Sequence, residues 1–208
     1  EVYRKAGASI PTTWADFMVQ AKKIQDAGYI ALAHGGQAWQ DNTVFEAVVL
    51  GVGGAEYYKK AFVELDMDAL NSSTTDEVFT VFGELRQFID ANAPGRDWNV
   101  ATSMVINGEA AMQIMGDWAK GEFAVAGKNV GTDFVCVAAP GTSDGFTFNV
   151  DSFAFFKQSD VNKQGAQKAM AEEILGTSFQ EVFNLNKGSI PARLGMARAK
   201  FDTCAHDS

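Results

Sequence analysis

Hydrophobic positions recur every three or four residues in several parts of the chain, a spacing that predicts amphipathic helices. In residues 11–29, "PTTWADFMVQAKKIQDAGY", the apolar side chains that fall on one face are Trp14, Phe17, Met18, Ala21 and Ile24. Thr13, with Asp16 following in the first turn, predicts a capped start of this helix, and Gly28 predicts its end.

A second stripe runs through residues 74–92, "TTDEVFTVFGELRQFIDAN", where Thr74 and Glu77 have the spacing of a capping box. A third helix is predicted to end at Gly53 and Gly54. Apolar runs in the stretches "YIALAHGG", "AAMQIM", "DFVCVAAPG" and "GFTFNVDSFAFFK" predict short strands between the helices. Helices that alternate with short strands favour an α/β layer architecture.

Composition narrows the function classes. The chain has 208 residues, of which 47% are hydrophobic, so it can form a substantial core. The net charge of -9, without any run of Lys or Arg, argues against nucleic acid or an anionic membrane as a partner. No apolar stretch approaches the roughly 18 residues of a membrane span. The opening "EVYRKAG" reads as the tail of a helix, so we expect the natural protein to begin upstream and treat the chain as a fragment.

The stretch "QIMGDWAKGEF" places an acid and an indole where a predicted strand ends and a helix begins. Such junctions often hold ligands in α/β proteins. Trp118 is either a core residue or an aromatic face for a sugar ring, whose C–H bonds form an apolar patch. Asp117 beside it either caps the next helix or contacts a ligand.

Two further stretches carry polar groups in apolar surroundings. Asn149 and Asp151 in "FNVDSFAF" would share one face of a strand, and that face meets either a ligand or the backbone amides of a loop. In "HGGQAWQD" the two glycines permit close backbone approach, and Trp39 with Gln40 either binds a polyol or packs in a tight turn. Lys187 in "NLNKGSIPAR" is either a solvated surface cation or a ligand contact.

Other chemistries have weak support. His34 and His206 are far apart in sequence, and no metal-ligand cluster, phosphate loop or G-x-S-x-G motif occurs, so we expect no metal, no cofactor and no catalytic nucleophile. Asp117 and Asp151 remain an alternative as an acid pair of a glycoside-processing enzyme. Two cysteines are too few for a disulfide scaffold, and from the residues alone they are either two buried thiols or one disulfide.

The order of these motifs resembles a known family. "AGASIPTTWADFMVQAKKIQDAGYIALAHGGQAWQ", "NGEAAMQIMGDWA", "FNVDSFAF" and "NKGSIPAR" resemble, in sequence order, the extracellular solute-binding proteins of ABC sugar importers. "MGDWAKGEF" together with "HGGQAWQ" resembles the branch that binds glucose and related monosaccharides. The resemblance implies a non-enzymatic protein of two α/β lobes, in the periplasm or tethered outside the membrane, that closes around a sugar and docks on a permease.

The resemblance also implies roles for single residues. Trp118 would stack on the sugar ring, Asp151 would accept hydrogen bonds from hydroxyls, and Lys187 would donate them. Trp39 and Gln40 would line the cleft. Asn149, which shares the predicted strand face with Asp151, completes the predicted ligand-binding set.

The family's lobes imply a division of the chain. Residues 1–150 would form most of the second lobe as helices around a short mixed sheet. Residues 151–188 would cross back to pack on a first lobe that lies outside the chain, and residues 189–208 would return to the second lobe. We therefore expect weak or no sugar binding by the chain alone. We also expect self-association through an exposed apolar face that is formed by Phe153, Phe155, Met170, Ile174, Phe179 and Phe183. The same course of the chain would bring Cys136 and Cys204 together, and export would favour a disulfide between them.

Overall fold

The computed structural model describes residues 1–206, which form helices around a small sheet, as predicted for an α/β lobe. The two strands, β1 (Ile30–Leu32) and β2 (Ala110–Met112), pair in parallel with Ile30 opposite Ala110 and Leu32 opposite Met112. The α-helices in chain order are α1 (Val2–Ala6), α2 (Trp14–Asp26), α3 (Ala38–Tyr58), α4 (Met67–Leu70), α5 (Ser73–Leu85), α6 (Trp98–Ile106), α7 (Ala119–Val125), α8 (Val161–Ile174), α9 (Thr177–Lys187) and α10 (Thr203–His206). A π-helical turn (Lys59–Val63) and a 3₁₀ turn (Arg86–Phe88) follow α3 and α5.

Helix α2 starts as its sequence predicts. The Thr13 hydroxyl oxygen accepts a hydrogen bond from the Asp16 backbone N–H at 3.1 Å, which satisfies one of the free donors of the first turn. Its apolar stripe is buried against the sheet and the neighbouring helices. Gly28 adopts a φ of 87°, a left-handed conformation that glycine reaches without strain, and the chain there turns into β1.

The core lies between α2, β1, α3 and α5. Its largest fully buried apolar side chains are Phe17, Ile24, Leu32, Val48, Val49, Val78 and Leu85. The end predicted for this helix at Gly53 and Gly54 is confirmed as a break in helical geometry, because Gly54 has φ 74° and ψ 174°. Helical geometry then resumes as far as Tyr58, which is why α3 spans both parts.

The predicted capping box of α5 is wrong. The helix begins two residues earlier than expected, after Ser72 instead of Thr74, and no side chain caps it. The hydroxyls of Ser72 and Thr75 instead donate to the backbone oxygen of Ala69 at 2.6 and 3.0 Å, so they satisfy the end of the preceding short helix. The hydroxyls that could have capped α5 are therefore used by the Ala69 carbonyl oxygen.

The two strands predicted at residues 133–141 and 145–157 do not form. Beyond a single bridge between Val130 and Phe134, the structure gives these residues no strand partner. An extended run becomes a strand only when a neighbouring backbone satisfies its donors and acceptors, and no described segment pairs with residues 145–157. The side chains of this segment are exposed, including Phe148 and Phe156.

Two contacts tie the C-terminal residues to the rest of the lobe. Cys136 and Cys204 are joined in a disulfide with a Cα–Cα distance of 5.5 Å. The buried ammonium of Lys120 lies 3.0 Å from Asp202 Oδ1, so the first turn of α7 is held against the same segment. Among residues 1–206 no helix is long and apolar enough to cross a membrane.

Candidate functional site

Five of the six predicted ligand residues line one cavity. The cavity, of about 510 Å³, opens where the starts of α3, α6 and α7 approach the end of α9 and the extended segment around residue 150. Its lining residues are Trp39, Trp98, Trp118, Gly121, Glu122, Val125, Asn149, Asp151, Asn186 and Lys187. The lining thus combines three tryptophans with two asparagine amides and three charged side chains.

Trp118 owes its position to Gly116. A Cβ atom added at residue 116 would lie 2.1 Å from Cζ3 of the Trp118 ring, so the indole lies directly over that backbone. Trp118 is the residue before α7, and Gly121, Glu122 and Val125 follow it on the same face at helical spacing. The glycine that interrupts the apolar run at residue 116 therefore makes room for an indole that faces the cavity.

Trp39 forms a second aromatic wall. Its ring centroid lies 6.5 Å from that of Trp118, with 47° between the ring planes. The side chain is 43% exposed, and its indole Nε1–H donates to Gln37 Oε1 at 2.8 Å. Because the only polar atom of the ring is already bonded, Trp39 presents an apolar face to the cavity.

Trp98 also lines the cavity, although it is not among the site residues predicted from the sequence. It is the first residue of α6, and its backbone oxygen accepts hydrogen bonds from Thr102 Oγ1 at 3.0 Å and Gln113 Nε2 at 3.1 Å. Gln113 follows β2 directly, so the end of the strand fixes the start of α6. One signal was available: the Asp-Trp pair at residues 97–98 repeats the pair at residues 117–118.

Gln40 does not line the cavity, contrary to the prediction. It is fully buried beneath the turn at residues 35–36, where its Nε2 donates to Gln37 Oε1 at 3.0 Å and to the Arg96 backbone oxygen at 3.3 Å. A Cβ at Gly35 would lie 2.1 Å from Gln40 Oε1. The glycine therefore makes room for the buried amide, which supports Gln37 and the backbone of Arg96 from below.

The polar side of the cavity is an ion pair with an amide beside it. Lys187 Nζ donates to Asp151 Oδ2, and Asn149 Nδ2 lies 3.4 Å from Asp151 Oδ1. The Lys187 ammonium, bonded to the carboxylate, lowers the pKa of Asp151 below its ordinary value. Lys187 also lies 5.9 Å from the centroid of the Phe183 ring, within the range of a cation–π contact. Asn149 and Asp151 thus lie together as predicted, although on an extended segment and not on a strand.

Asp117 is occupied elsewhere. Its Oδ1 accepts a hydrogen bond from Ser189 Oγ at 2.9 Å, and its Oδ2 accepts one from the Ile190 backbone N–H at 3.1 Å. No side chain caps α7, so the interpretation of Asp117 as a helix cap is wrong. The carboxylate instead binds the loop that follows α9 and so connects the residue before Trp118 to the end of α9, where Lys187 is the last residue.

The described residues hold no cluster of three or more histidine, cysteine or acidic side chains that could bind a metal ion. His34 is buried and its Nε2 lies 2.8 Å from Asp41 Oδ1, while His206 is exposed on α10.

Comparison with known proteins gives a consistent result. The family model described as "Bacterial extracellular solute-binding protein" matches residues 1–172. A "Probable sugar-binding periplasmic protein" of Rhizobium meliloti (strain 1021) is 49% identical over 200 residues, covering 96% of this chain and 48% of that protein. An ABC transporter extracellular-binding protein of Pyrococcus horikoshii is 30% identical over 198 residues, covering 93% of this chain and 43% of that protein. The chain spans about half the length of the curated relatives it matches.

Solved structures show the same fold. A chitin oligosaccharide binding protein superposes with a TM-score of 0.73 at 18% identity, covering 99% of this chain and 54% of that chain. A Streptococcus pneumoniae solute-binding protein in complex with the blood group A-trisaccharide superposes with a TM-score of 0.70 at 19% identity, covering 96% of this chain and 49% of that chain. At these identities the likeness carries the fold alone.

Proposed function

We propose a sugar-binding function for this chain, which belongs to the family of bacterial extracellular solute-binding proteins. Membership agrees with the predicted location outside the cytoplasm, in the periplasm or tethered to the cell surface. The chain would form part of the binding subunit of an ABC importer and would deliver its sugar to the membrane permease. The names of the matched relatives support both parts of this proposal.

The observation that carries the proposal is the composition of the cavity wall. Trp39 and Trp118 offer two apolar ring faces, and Asp151, Lys187 and Asn149 of the same lining offer charged and amide groups. A pyranose has the same two kinds of surface, since its C–H groups form an apolar patch and its hydroxyls both donate and accept. Small-molecule sites commonly combine an apolar wall with a few fixed polar groups.

Each polar residue has capacity left for a ligand. The Asp151 carboxylate has about four lone-pair sites, and Lys187 and Asn149 use one each. Two sites remain for sugar hydroxyls, and such charge-assisted bonds are stronger than neutral ones. The Lys187 ammonium has three donors, of which Asp151 takes one. In this proposal Trp118 stacks on the ring, and Trp39 covers a second edge of the sugar.

We propose glucose or a related monosaccharide as the ligand. The support is the resemblance of "MGDWAKGEF" and "HGGQAWQ" to the glucose-binding branch and the presence of Trp118, Trp39 and the Asp151–Lys187 pair in one cavity. Trp39 and Asp151 of the lining are exposed to solvent, which suits a site that a second lobe completes.

Binding explains the two acids better than catalysis does. A general acid in glycoside hydrolysis needs a raised pKa, whereas Lys187 lowers the pKa of Asp151. Both oxygens of Asp117 are engaged by Ser189 and Ile190. We therefore propose a non-enzymatic role.

We also propose the division into lobes that the family resemblance implies. Residues 1–150 would form most of one lobe, residues 151–188 would pack on the other lobe, and residues 189–208 would return to the first. The exposure of Phe153, Phe155, Met170 and Phe183 supports an apolar face that another body covers. Ile174, predicted to belong to this face, is buried, and Phe179 is half-buried against Phe183.

Isothermal titration of the full natural protein with glucose, galactose, mannose and a disaccharide tests the function. We expect saturable binding of at least one monosaccharide with one site per chain. Absence of heat with every sugar would overturn the proposal. Chromatography of the sugar after incubation tests the alternative, because any turnover would favour a glycoside-processing enzyme.

A further inference from the structure

We infer that Gln37 is a positioning residue that fixes Trp39 and Trp98, two tryptophans of the cavity lining, relative to one another; this inference rests on the proposed function. Gln37 does not line the cavity itself. Its Oε1 accepts a hydrogen bond from Trp39 Nε1 at 2.8 Å, and its Nε2 donates to Asp97 Oδ1 at 2.7 Å. One amide therefore bonds to the ring of one cavity tryptophan and to the neighbour of another.

The two bonds join the starts of two helices. Gln37 is the residue before α3, whose second residue is Trp39, and Asp97 is the residue before α6, whose first residue is Trp98. Because β1 leads into α3 and α6 leads into β2, the two helix starts lie at the same edge of the sheet. The Gln37–Asp97 bond spans them where each helix brings an indole to the cavity.

A buried residue anchors the linking amide. Gln40 Nε2 donates to Gln37 Oε1 at 3.0 Å and to the Arg96 backbone oxygen at 3.3 Å, and Gln40 is fully buried. Arg96 is held in turn by two bonds to Asp90, at 2.6 and 2.7 Å. The orientation of Gln37 is thus set by the core, and Gln37 passes that orientation to the partly exposed ring of Trp39.

The consequence concerns the ligand more than stability. Trp39 is 43% exposed, so without a hydrogen bond to its indole the side chain could adopt several rotamers. A ring that must be ordered when the ligand binds costs side-chain entropy, and a ring held beforehand does not. Gln37 therefore strengthens binding by pre-organising the aromatic wall.

Exchanging donor and acceptor between Gln37 and Asp97 tests this role. Gln37→Glu keeps the shape and the acceptor for Trp39 Nε1 but places two carboxylates face to face, so we expect the sugar dissociation constant to rise roughly five- to tenfold. Asp97→Asn alone keeps an acceptor for Gln37 and should weaken binding much less. The double variant Gln37→Glu/Asp97→Asn restores a donor–acceptor pair with reversed roles, and its dissociation constant should return to within about twofold of the wild type.

A control and a second readout keep the outcomes distinct. Gln87→Glu adds the same charge at an exposed residue and should leave binding unchanged. The indole N–H signals of Trp39 and Trp98 in nitrogen–proton NMR spectra, assigned with Trp39→Phe and Trp98→Phe, report their geometry without any sugar. We expect Gln37→Glu to shift both signals. The double variant should bring the Trp98 signal back, whereas the Trp39 N–H still donates to a carboxylate at residue 37 and keeps part of its shift.

Each outcome decides one claim. If the wild type binds sugar but Gln37→Glu binds it equally well, or if the double variant stays as weak as the single one, the role of Gln37 is refuted while the function stands. If the wild type binds no sugar, the function is refuted, and the indole signals still decide whether Gln37 holds the two rings.

Discussion

The indole rings of Trp39 and Trp118 lie 6.5 Å apart, centroid to centroid, with 47° between their planes. They follow different strands of the parallel pair, β1 and β2, and therefore emerge at the same edge of the sheet. A tilted pair of this kind leaves an apolar face of each ring toward the cavity. The site thus follows from strand order as well as from the residues themselves.

Gly116→Ala should weaken sugar binding by the full natural protein at least tenfold while the fold persists. The new Cβ would lie 2.1 Å from the Trp118 ring, so the indole must move out of its place. Gly83→Ala is the matched control, because it lies in α5 with nothing within 4 Å, and helix propensity predicts a gain in the free energy of unfolding of about 0.5–1 kcal/mol. Equal affinity in the two variants, measured by titration calorimetry, would contradict the role of Gly116.

The pH dependence of binding should follow the Asp151 carboxylate. Lys187 lowers the pKa of this carboxyl, so the charged form persists as the pH falls and is lost only below the ordinary range of an aspartate. We expect sugar affinity to stay constant from about pH 7 to about pH 5 and to decline below about pH 4. Asp151→Asn should weaken binding at neutral pH and remove the acid-dependent part. An affinity that already falls near pH 6 would contradict the assignment.

The disulfide between Cys136 and Cys204 should be present in the exported protein. Thiol titration of the denatured, unreduced chain should find no free thiol, and two free thiols would rule the bridge out. A bond that closes a loop with a sequence separation of 68 stabilises by about 4 kcal/mol on the chain-entropy model. Cys136→Ser/Cys204→Ser should therefore unfold at distinctly lower denaturant concentration than the wild type.

The 208-residue chain by itself should self-associate. Phe148 is 77% exposed and Phe156 is 82% exposed on a segment without strand partners, which leaves apolar surface in contact with solvent. Light scattering should show a mass that rises with concentration, and Phe148→Ser/Phe156→Ser should lower it. A monomeric mass at high concentration would contradict this prediction.

Predictions from the sequence succeeded where the determinants are local. Helix α2 has its cap and its stripe within thirteen residues, and both are found as predicted. The strand predicted around Asp151 failed because a strand also requires a neighbouring backbone, which no local pattern specifies. The position of Asp151 beside Lys187 could be anticipated only from the family resemblance, since these residues come from separate segments.

Gln40 and Trp98 show two further limits. Gln40 was assigned to the cavity by its residue type, but it lies one helical turn before Val44 and two before Val48, which are both buried. The helical periodicity of α3 could therefore have placed it in the core. Trp98 begins a helix, and apart from the repeated Asp-Trp pair nothing in the sequence indicates which surface it faces; the fold brings it to the cavity.

The central claim is that a sugar stacks on Trp118 in this cavity, and one comparison tests it most directly. The dissociation constant of the preferred monosaccharide is measured by titration calorimetry for the wild-type full protein, Trp118→Ala and Trp118→Phe, with thermal unfolding as the check on folding. Loss of an aromatic contact worth about 1–3 kcal/mol predicts at least tenfold weaker binding for Trp118→Ala, and Trp118→Phe should retain most of the affinity. An unchanged dissociation constant for a folded Trp118→Ala protein would contradict the account.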